Sequence, residues 1–175
     1  MDRDGVLNRV VVRDGRPGSP RSLAEFAVVE DAAVALHSLR RAGYLLIVAT
    51  NQPEVARGLQ DTALVEEMHR RLRAALPVDD IWVCYHDRRH RCGCRKPKPG
   101  LLLGAAEKWG IDLSRSYMIG DRGKDLAAGR RAGCGTILLS CPYNRGDESR
   151  ADYCAASLSD ASAWILGRSA PGAEP

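Results

Sequence analysis

The stretch Tyr44-Leu45-Leu46-Ile47-Val48-Ala49-Thr50-Asn51-Gln52 turns abruptly from aliphatic to polar. A short unbroken aliphatic run, residues 44–49, reads as a strand buried on both faces, and such strands belong to parallel sheets. The pattern recurs along the chain. Residues 80–85 read as a strand that runs into Cys84-Tyr85-His86, and residues 117–119 run into Gly120-Asp121-Arg122. Between these runs lie segments with apolar residues at helical spacing. Residues 30–42 are closed by Gly43, residues 62–76 begin near Asp61, residues 99–109 carry proline in the first turn and Gly110 at the end, and residues 124–132 are closed by Gly133. Residues 136–140 form a fourth strand, residues 151–155 a candidate fifth, and residues 160–166 a last helix. Residues 9–27 contain Arg-Asp-Gly-Arg-Pro-Gly-Ser-Pro, whose turn chemistry predicts a surface loop or flap.

Strands alternating with helices place the chain in the α/β class. The expected architecture is a three-layer, Rossmann-like parallel sheet with helices on both faces. Ligands in such sheets gather beyond the carboxyl ends of the strands. Thr50-Asn51-Gln52, Cys84-Tyr85-His86 and Asp121 all stand there. A chain of 175 residues fits one domain, here residues 1–166, with residues 167–175 as an unstructured polar tail.

Hydrophobic content is 45% and aromatic content 5%, so aliphatic side chains must fill the core. The net charge of +4 suits an anionic small molecule. Arg residues are scattered, without the concentrated basic face that nucleic-acid binding needs, so neither nucleic acid nor membrane is an expected partner. No apolar run approaches the roughly 18 to 20 residues of a membrane span. The expected location is the cytoplasm and the expected state a monomer. Cys134, Cys141 and Cys154 are dispersed and read as buried small apolar residues.

Cys84, His86, Cys92 and Cys94 cluster instead, within the loop at residues 84–98. Three thiols and an imidazole in a chain without secretory signals read as a metal clip, and four such ligands leave no open coordination position, so a zinc ion held there is structural. His90 is a possible substitute ligand or a solvated loop residue. Arg95 and Lys96 follow as an anion grip, or else as a solvated basic loop. Asp2-Arg3-Asp4-Gly5 sets two carboxylates two residues apart, on one side of an extended segment or in a polar turn. In the first case, one can attack phosphorus while the other exchanges the proton, with a hard cation such as Mg²⁺ neutralising charge. Thr50 and Asn51 offer polar groups to phosphoryl oxygens, or cap the next helix. Asp121 offers a second carboxylate to the cation, and Asp125 either supports that site or caps its own helix.

These motifs, in this order, resemble the haloacid dehalogenase superfamily of phosphatases. Asp2-Arg3-Asp4-Gly5-Val6-Leu7-Asn8 is similar to its first motif, Thr50-Asn51-Gln52 to its second, Lys96 to its third and Gly120-Asp121-Arg122 to its fourth. The Cys/His loop resembles the branch that acts on heptose bisphosphates and histidinol phosphate, and the likeness spans residues 2–155. The resemblance implies a Mg²⁺-dependent phosphoric monoester hydrolase acting on a small sugar phosphate, with histidinol phosphate or another small ester as the alternative substrate and a catalytically impaired relative as a further alternative. It implies Asp2 as the nucleophile and Asp4 as the acid and base, with Asp2, the Asp4 carbonyl and Asp121 around Mg²⁺. It implies Thr50, Asn51 and Lys96 on the phosphoryl group, Arg95 and Arg122 toward the rest of the substrate, and Cys84, His86, Cys92 and Cys94 on zinc.

Two departures from the family pattern stand out. Pro53-Glu54 replaces a small residue and glycine beside the phosphate region. The aliphatic strand that precedes the nucleophile in the family is reduced here to Met1, so a truncated central strand is expected. Adding about five to eight native upstream residues, one strand's length, is expected to raise solubility and turnover; equal behaviour with and without them would defeat that expectation.

Overall fold

The computed structural model describes residues 1–169. A hairpin of β1 (Val11–Arg13) and β2 (Arg16–Gly18) comes first, inside the segment expected to be a loop or flap. Then follow α1 (Ala32–Arg41), β3 (Ile47–Asn51), α2 (Thr62–Ala75), β4 (Asp80–Cys84) and α3 (Gly100–Trp109). The chain ends with β5 (Tyr117–Gly120), α4 (Gly123–Ala132), β6 (Gly135–Leu139), β7 (Tyr153–Ala155) and α5 (Leu158–Ser169). No helix among the described residues is long and apolar enough to cross a membrane.

The strands pair in parallel as β3–β4 and as β5–β6–β7. Met1 and Asp2 lie between the two sets. The Met1 ammonium donates to the Ile47 carbonyl at 2.9 Å, Ala49 N–H donates to the Met1 carbonyl at 2.8 Å, and Asp2 N–H donates to the Ile119 carbonyl at 2.9 Å. The order across the molecule is therefore β4, β3, residues 1–2, β5, β6, β7. A cavity of about 780 Å³ is bordered by Met1, Ile47, Tyr117, Leu39 and Ile165.

The alternation of side chains along a strand sorts the core into two layers. Val48 and Ile119 point into one cluster with Leu36 and Leu39 of α1, Leu72 of α2 and Ile165 of α5. Their neighbours Ala49 and Met118 point into the other, with Leu101 and Leu102 of α3 and Ala128 of α4. Gly104 lets α3 settle on the sheet, since a Cβ there would meet the Trp82 ring at 2.6 Å.

Three expected boundaries shift for local reasons. The strand expected over residues 44–49 begins at Ile47, because Tyr44 N–H closes the end of α1 on the Leu39 carbonyl and Leu46 N–H is drawn to the Asp79 carboxylate. The last helix starts earlier and runs longer than residues 160–166. Gly167 and Arg168, expected in the tail, belong to α5, and residues 170–175 lie outside the described residues. All six cysteines are free thiols. Cys154 is exposed rather than buried, because it takes the outward position on the edge strand β7.

Candidate active site

At the carboxyl ends of these strands the chain buries an unusual number of charges. Lys96 is completely enclosed. Its Nζ lies 2.8 Å from Asp2 Oδ1 and 2.7 Å from Asp125 Oδ1. At these distances the Lys96 ammonium is held between two carboxylates by Coulombic attraction. Burial works to raise the Asp2 pKa, but the Lys96 and Lys124 charges and hydrogen bonding from Lys96 and Arg3 N–H overcome it and hold Asp2 down at about 2. Burial likewise works against the Lys96 charge, and the Asp125 and Asp2 carboxylates outweigh it, raising the ammonium pKa. Asp2 and Lys96 are thus a fixed anion and a fixed cation at neutral pH.

Asn51 does not reach outward. Its Oδ1 accepts from Lys96 N–H and its Nδ2 donates to the Lys96 carbonyl, both at 3.1 Å, so the end of β3 clamps the backbone of the lysine. Neither Thr50 nor Asn51 caps α2; Asp61 does, accepting from Leu64 N–H at 2.6 Å. Thr50 Oγ1 is buried and accepts from Gln52 Nε2 at 2.8 Å.

Asp4 has a set of partners of its own. Just after it the backbone turns at Gly5, whose φ is +86°. Asp4 Oδ1 and Oδ2 accept from the Arg3 guanidinium at 2.9 to 3.1 Å, Oδ1 also from Asn8 Nδ2 at 2.9 Å, and Oδ2 from Ser19 Oγ and Gln52 Nε2, each at 2.8 Å. Burial works to raise its pKa, but Arg3 and these donors leave it lowered. Arg3 is itself fully buried and also meets His69 Nε2 at 3.1 Å. Burial, then the Arg3 charge, pulls His69 down to about 4, so its ring is neutral and Nε2 accepts from Arg3. Sequence reading missed Arg3, His69, Ser19 and Asn8. The only signal was an arginine between two aspartates, a pattern equally at home in solvent.

Asp2, Asp121 and Asp125 place one carboxylate oxygen each within 4.8 Å of one another. The Asp4 carboxylate is not in this group. Asp125 does two things: its Oδ2 accepts from Arg122 N–H at 3.2 Å at the start of α4, and its Oδ1 faces Lys96. Asp121 is wholly buried and its Oδ1 has no hydrogen-bond partner. A bare, buried carboxylate oxygen facing two more carboxylates fits a hard divalent cation, which takes oxygen ligands. Burial, then the charges of Asp2 and Asp125, push the Asp121 pKa from 3.8 up to about 7. The folded chain holds this proton more tightly than the unfolded chain, so the group's contribution to stability is present below 3.8 and lost as pH rises toward 7. A cation must displace the proton. Its apparent affinity should therefore fall about tenfold between roughly pH 8 and pH 6. Calorimetric titration with Mg²⁺ at both values checks this, and equal affinities would contradict it.

Cys84, His86, Cys92 and Cys94 form a second group able to hold one ion. Cys84 Sγ lies 3.2 Å from Cys94 Sγ, 3.9 Å from Cys92 Sγ and 3.6 Å from His86 Nδ1, with Cys94 Sγ 3.4 Å from the same nitrogen. The edge of a tetrahedron of sulfur ligands around zinc is about 3.7 Å, so the spacing fits. His90 is apart from this set, its Nδ1 paired with Asp87 Oδ1 at 2.8 Å. Arg95 donates to the His86 carbonyl at 2.9 Å and so braces the loop. Arg122 donates to the Pro17 carbonyl at 2.9 Å, tying the β1–β2 hairpin over the site.

Comparison with known proteins places the chain in a family. A HAD-hydrolase-like family profile matches residues 93–161. The chain is 38% identical over 144 residues to the D-glycero-β-D-manno-heptose-1,7-bisphosphate 7-phosphatase of Pseudomonas aeruginosa, covering 79% of this chain and 78% of that one. It is 33% identical over 181 residues to the enzyme of the same name from Pasteurella multocida, covering 95% of each. Among solved structures, a D,D-heptose 1,7-bisphosphate phosphatase from B. bronchiseptica complexed with magnesium and phosphate superposes with a TM-score of 0.82 at 30% identity, over 95% of this chain and 96% of that one.

Proposed function

This chain belongs to the haloacid dehalogenase-like phosphatases and is a phosphoric monoester hydrolase, and from that premise we propose that it removes the 7-phosphate of D-glycero-β-D-manno-heptose 1,7-bisphosphate. The observation that carries the reading is the buried Asp2–Lys96–Asp125 triad beside the bare oxygen of Asp121. Names shared by relatives that cover most of the chain support the choice of sugar.

Asp2, anionic and desolvated, is the nucleophile that takes the phosphoryl group as an aspartyl phosphate. Lys96 and the Thr50 hydroxyl receive the phosphoryl oxygens, and Asn51 acts at one remove by fixing Lys96. Asp4 gives a proton to the leaving oxygen and later takes one from water. That role rests on its place in the first motif: in the free chain Arg3, Asn8, Ser19 and Gln52 hold the carboxylate anionic, so it takes up the proton it gives only once substrate is bound. Asp2, the Asp4 carbonyl and Asp121 would hold Mg²⁺, with Asp125 beside them; when bound, the ion would neutralise charge so that an anionic phosphate can approach an anionic nucleophile. Arg95 and Arg122 face the rest of the substrate. The enzyme acts as a cytoplasmic monomer. Its test is phosphate release across heptose bisphosphate, histidinol phosphate and simple sugar monophosphates. A kcat/KM at least about a hundredfold higher for the heptose bisphosphate, some 2.7 kcal/mol of discrimination, is expected. A preference for histidinol phosphate would overturn the substrate.

Cys84, His86, Cys92 and Cys94 hold a structural zinc, and its loop carries Lys96 into the site. Stripping that ion with a strong chelator should lower the melting temperature by roughly 5–10 °C and activity by more than about tenfold. Zinc, but not added Mg²⁺, should restore both. Full activity in metal-stripped protein given Mg²⁺ alone would refute the role.

A further inference from the structure

Tyr143 lies in the loop after β6, in a stretch that no sequence motif marks. Its hydroxyl reaches Asp121 Oδ2 at 2.8 Å, while Asp121 Oδ1 has no partner. The phenol is the donor in this bond and the carboxylate the acceptor. The residue is fixed by its neighbours. The Arg122 guanidinium lies over it at 5.7 Å. Asn144, next in the chain, donates to the Asp121 and Leu139 carbonyls at 2.8 and 2.7 Å and accepts from Cys141 N–H at 2.9 Å. The fit is tight enough that a Cβ on Gly5 would stand 2.3 Å from Asp121 Oδ2 and 2.9 Å from the Tyr143 hydroxyl.

A carboxylate with one oxygen tied and the other bare offers a single oxygen in a fixed direction. We propose that Tyr143 is a positioning residue that makes Asp121 a monodentate ligand and thereby selects a small octahedral cation, Mg²⁺, over Ca²⁺. The physical basis is the difference between the two ions. Ca²⁺ accepts six to eight oxygens in flexible geometry and readily takes both oxygens of a carboxylate, whereas Mg²⁺ demands a near-ideal octahedron and takes one. With Oδ2 occupied by the phenol, the bidentate mode is closed. Losing the hydroxyl leaves Oδ2 only the Arg122 Nε at 3.6 Å, too far for a hydrogen bond, so Asp121 can turn and chelate.

This inference rests on the cation site proposed above, and the test separates the two. Mg²⁺ and Ca²⁺ binding are measured by calorimetry in the wild type and in Tyr143→Phe, which keeps the ring and its stacking under Arg122. The variant should bind Mg²⁺ about tenfold more weakly, within the range for lost outer-shell partners. Its Ca²⁺ affinity should hold or rise, so the ratio of Mg²⁺ to Ca²⁺ affinity falls by at least that factor. A variant that loosens both ions equally has a merely softened site, and one that binds both as the wild type does has no use for the hydroxyl; either result overturns the inference. Wild-type protein that binds no Mg²⁺ would overturn the cation site itself, and Tyr143's role with it.

Discussion

Asp2→Asn should reduce phosphate release by about four orders of magnitude or more while the protein remains folded. The amide has the size of the carboxylate and keeps an oxygen for Arg3 N–H, which binds Asp2 Oδ1 at 2.8 Å. What disappears is the anion. Asp2 is held at a pKa of about 2, so across the working pH range the wild-type side chain is a desolvated carboxylate aimed at the site, whereas asparagine has no charge to attack phosphorus. Lys96 loses one of its two carboxylate partners and keeps Asp125, so the folding cost is expected to stay near 1–2 kcal/mol. Denaturant titration reads the stability and an acid-quenched phosphate assay reads the turnover. Turnover within about tenfold of wild type would remove Asp2 from the chemistry.

Lys96→Met carries the largest expected cost to folding. The methionine fills much of the same volume and removes the cation from between two carboxylates, both enclosed in the protein. Breaking a buried ion pair from one side leaves uncompensated charge and typically costs about 3–5 kcal/mol. Here two like charges are left together, so the upper end is expected, partly offset where Mg²⁺ is present to neutralise them. Turnover should fall by roughly three orders of magnitude, because a fixed cation in a dry site is worth far more than one in water. Denaturant midpoints with and without Mg²⁺ test the first half. A loss below about 1 kcal/mol would mean that the lysine is not electrostatically bound as its contacts indicate.

Much of this centre is legible from residues that sit where an aliphatic run ends. Asp121 and Thr50 are found that way, and Lys96 by its place after the Cys/His clip, because parallel sheets put ligand-binding groups at those ends whatever the rest of the chain does. The Cys/His group is legible for another reason: four soft donors so close in sequence have few other uses. The alternation of Val48 with Ala49 and of Met118 with Ile119, which sorts the core into its two layers, follows from strand geometry alone. What local pattern could not supply is contact across long sequence separations. Asn51 looks like a phosphate donor until its partner proves to be the Lys96 backbone, 45 residues away. Asp4 looks like a twin of Asp2 until its partners prove to be the buried Arg3 guanidinium, Asn8, Ser19 and Gln52. Ser19 and Tyr143 come from loops whose sequences resemble ordinary turns, and only folding brings the first to Asp4 and the second to Asp121.

The central claim is that Asp2 accepts one particular phosphate from a heptose bisphosphate. Phosphorus NMR of D-glycero-β-D-manno-heptose 1,7-bisphosphate with enzyme and Mg²⁺ addresses it most directly, beside Asp2→Asn. The account predicts loss of the 7-phosphate signal with equal growth of inorganic phosphate, retention of the 1-phosphate signal, and no change in the Asp2→Asn sample. Loss of the 1-phosphate, or equal hydrolysis with Asp2→Asn, would contradict it.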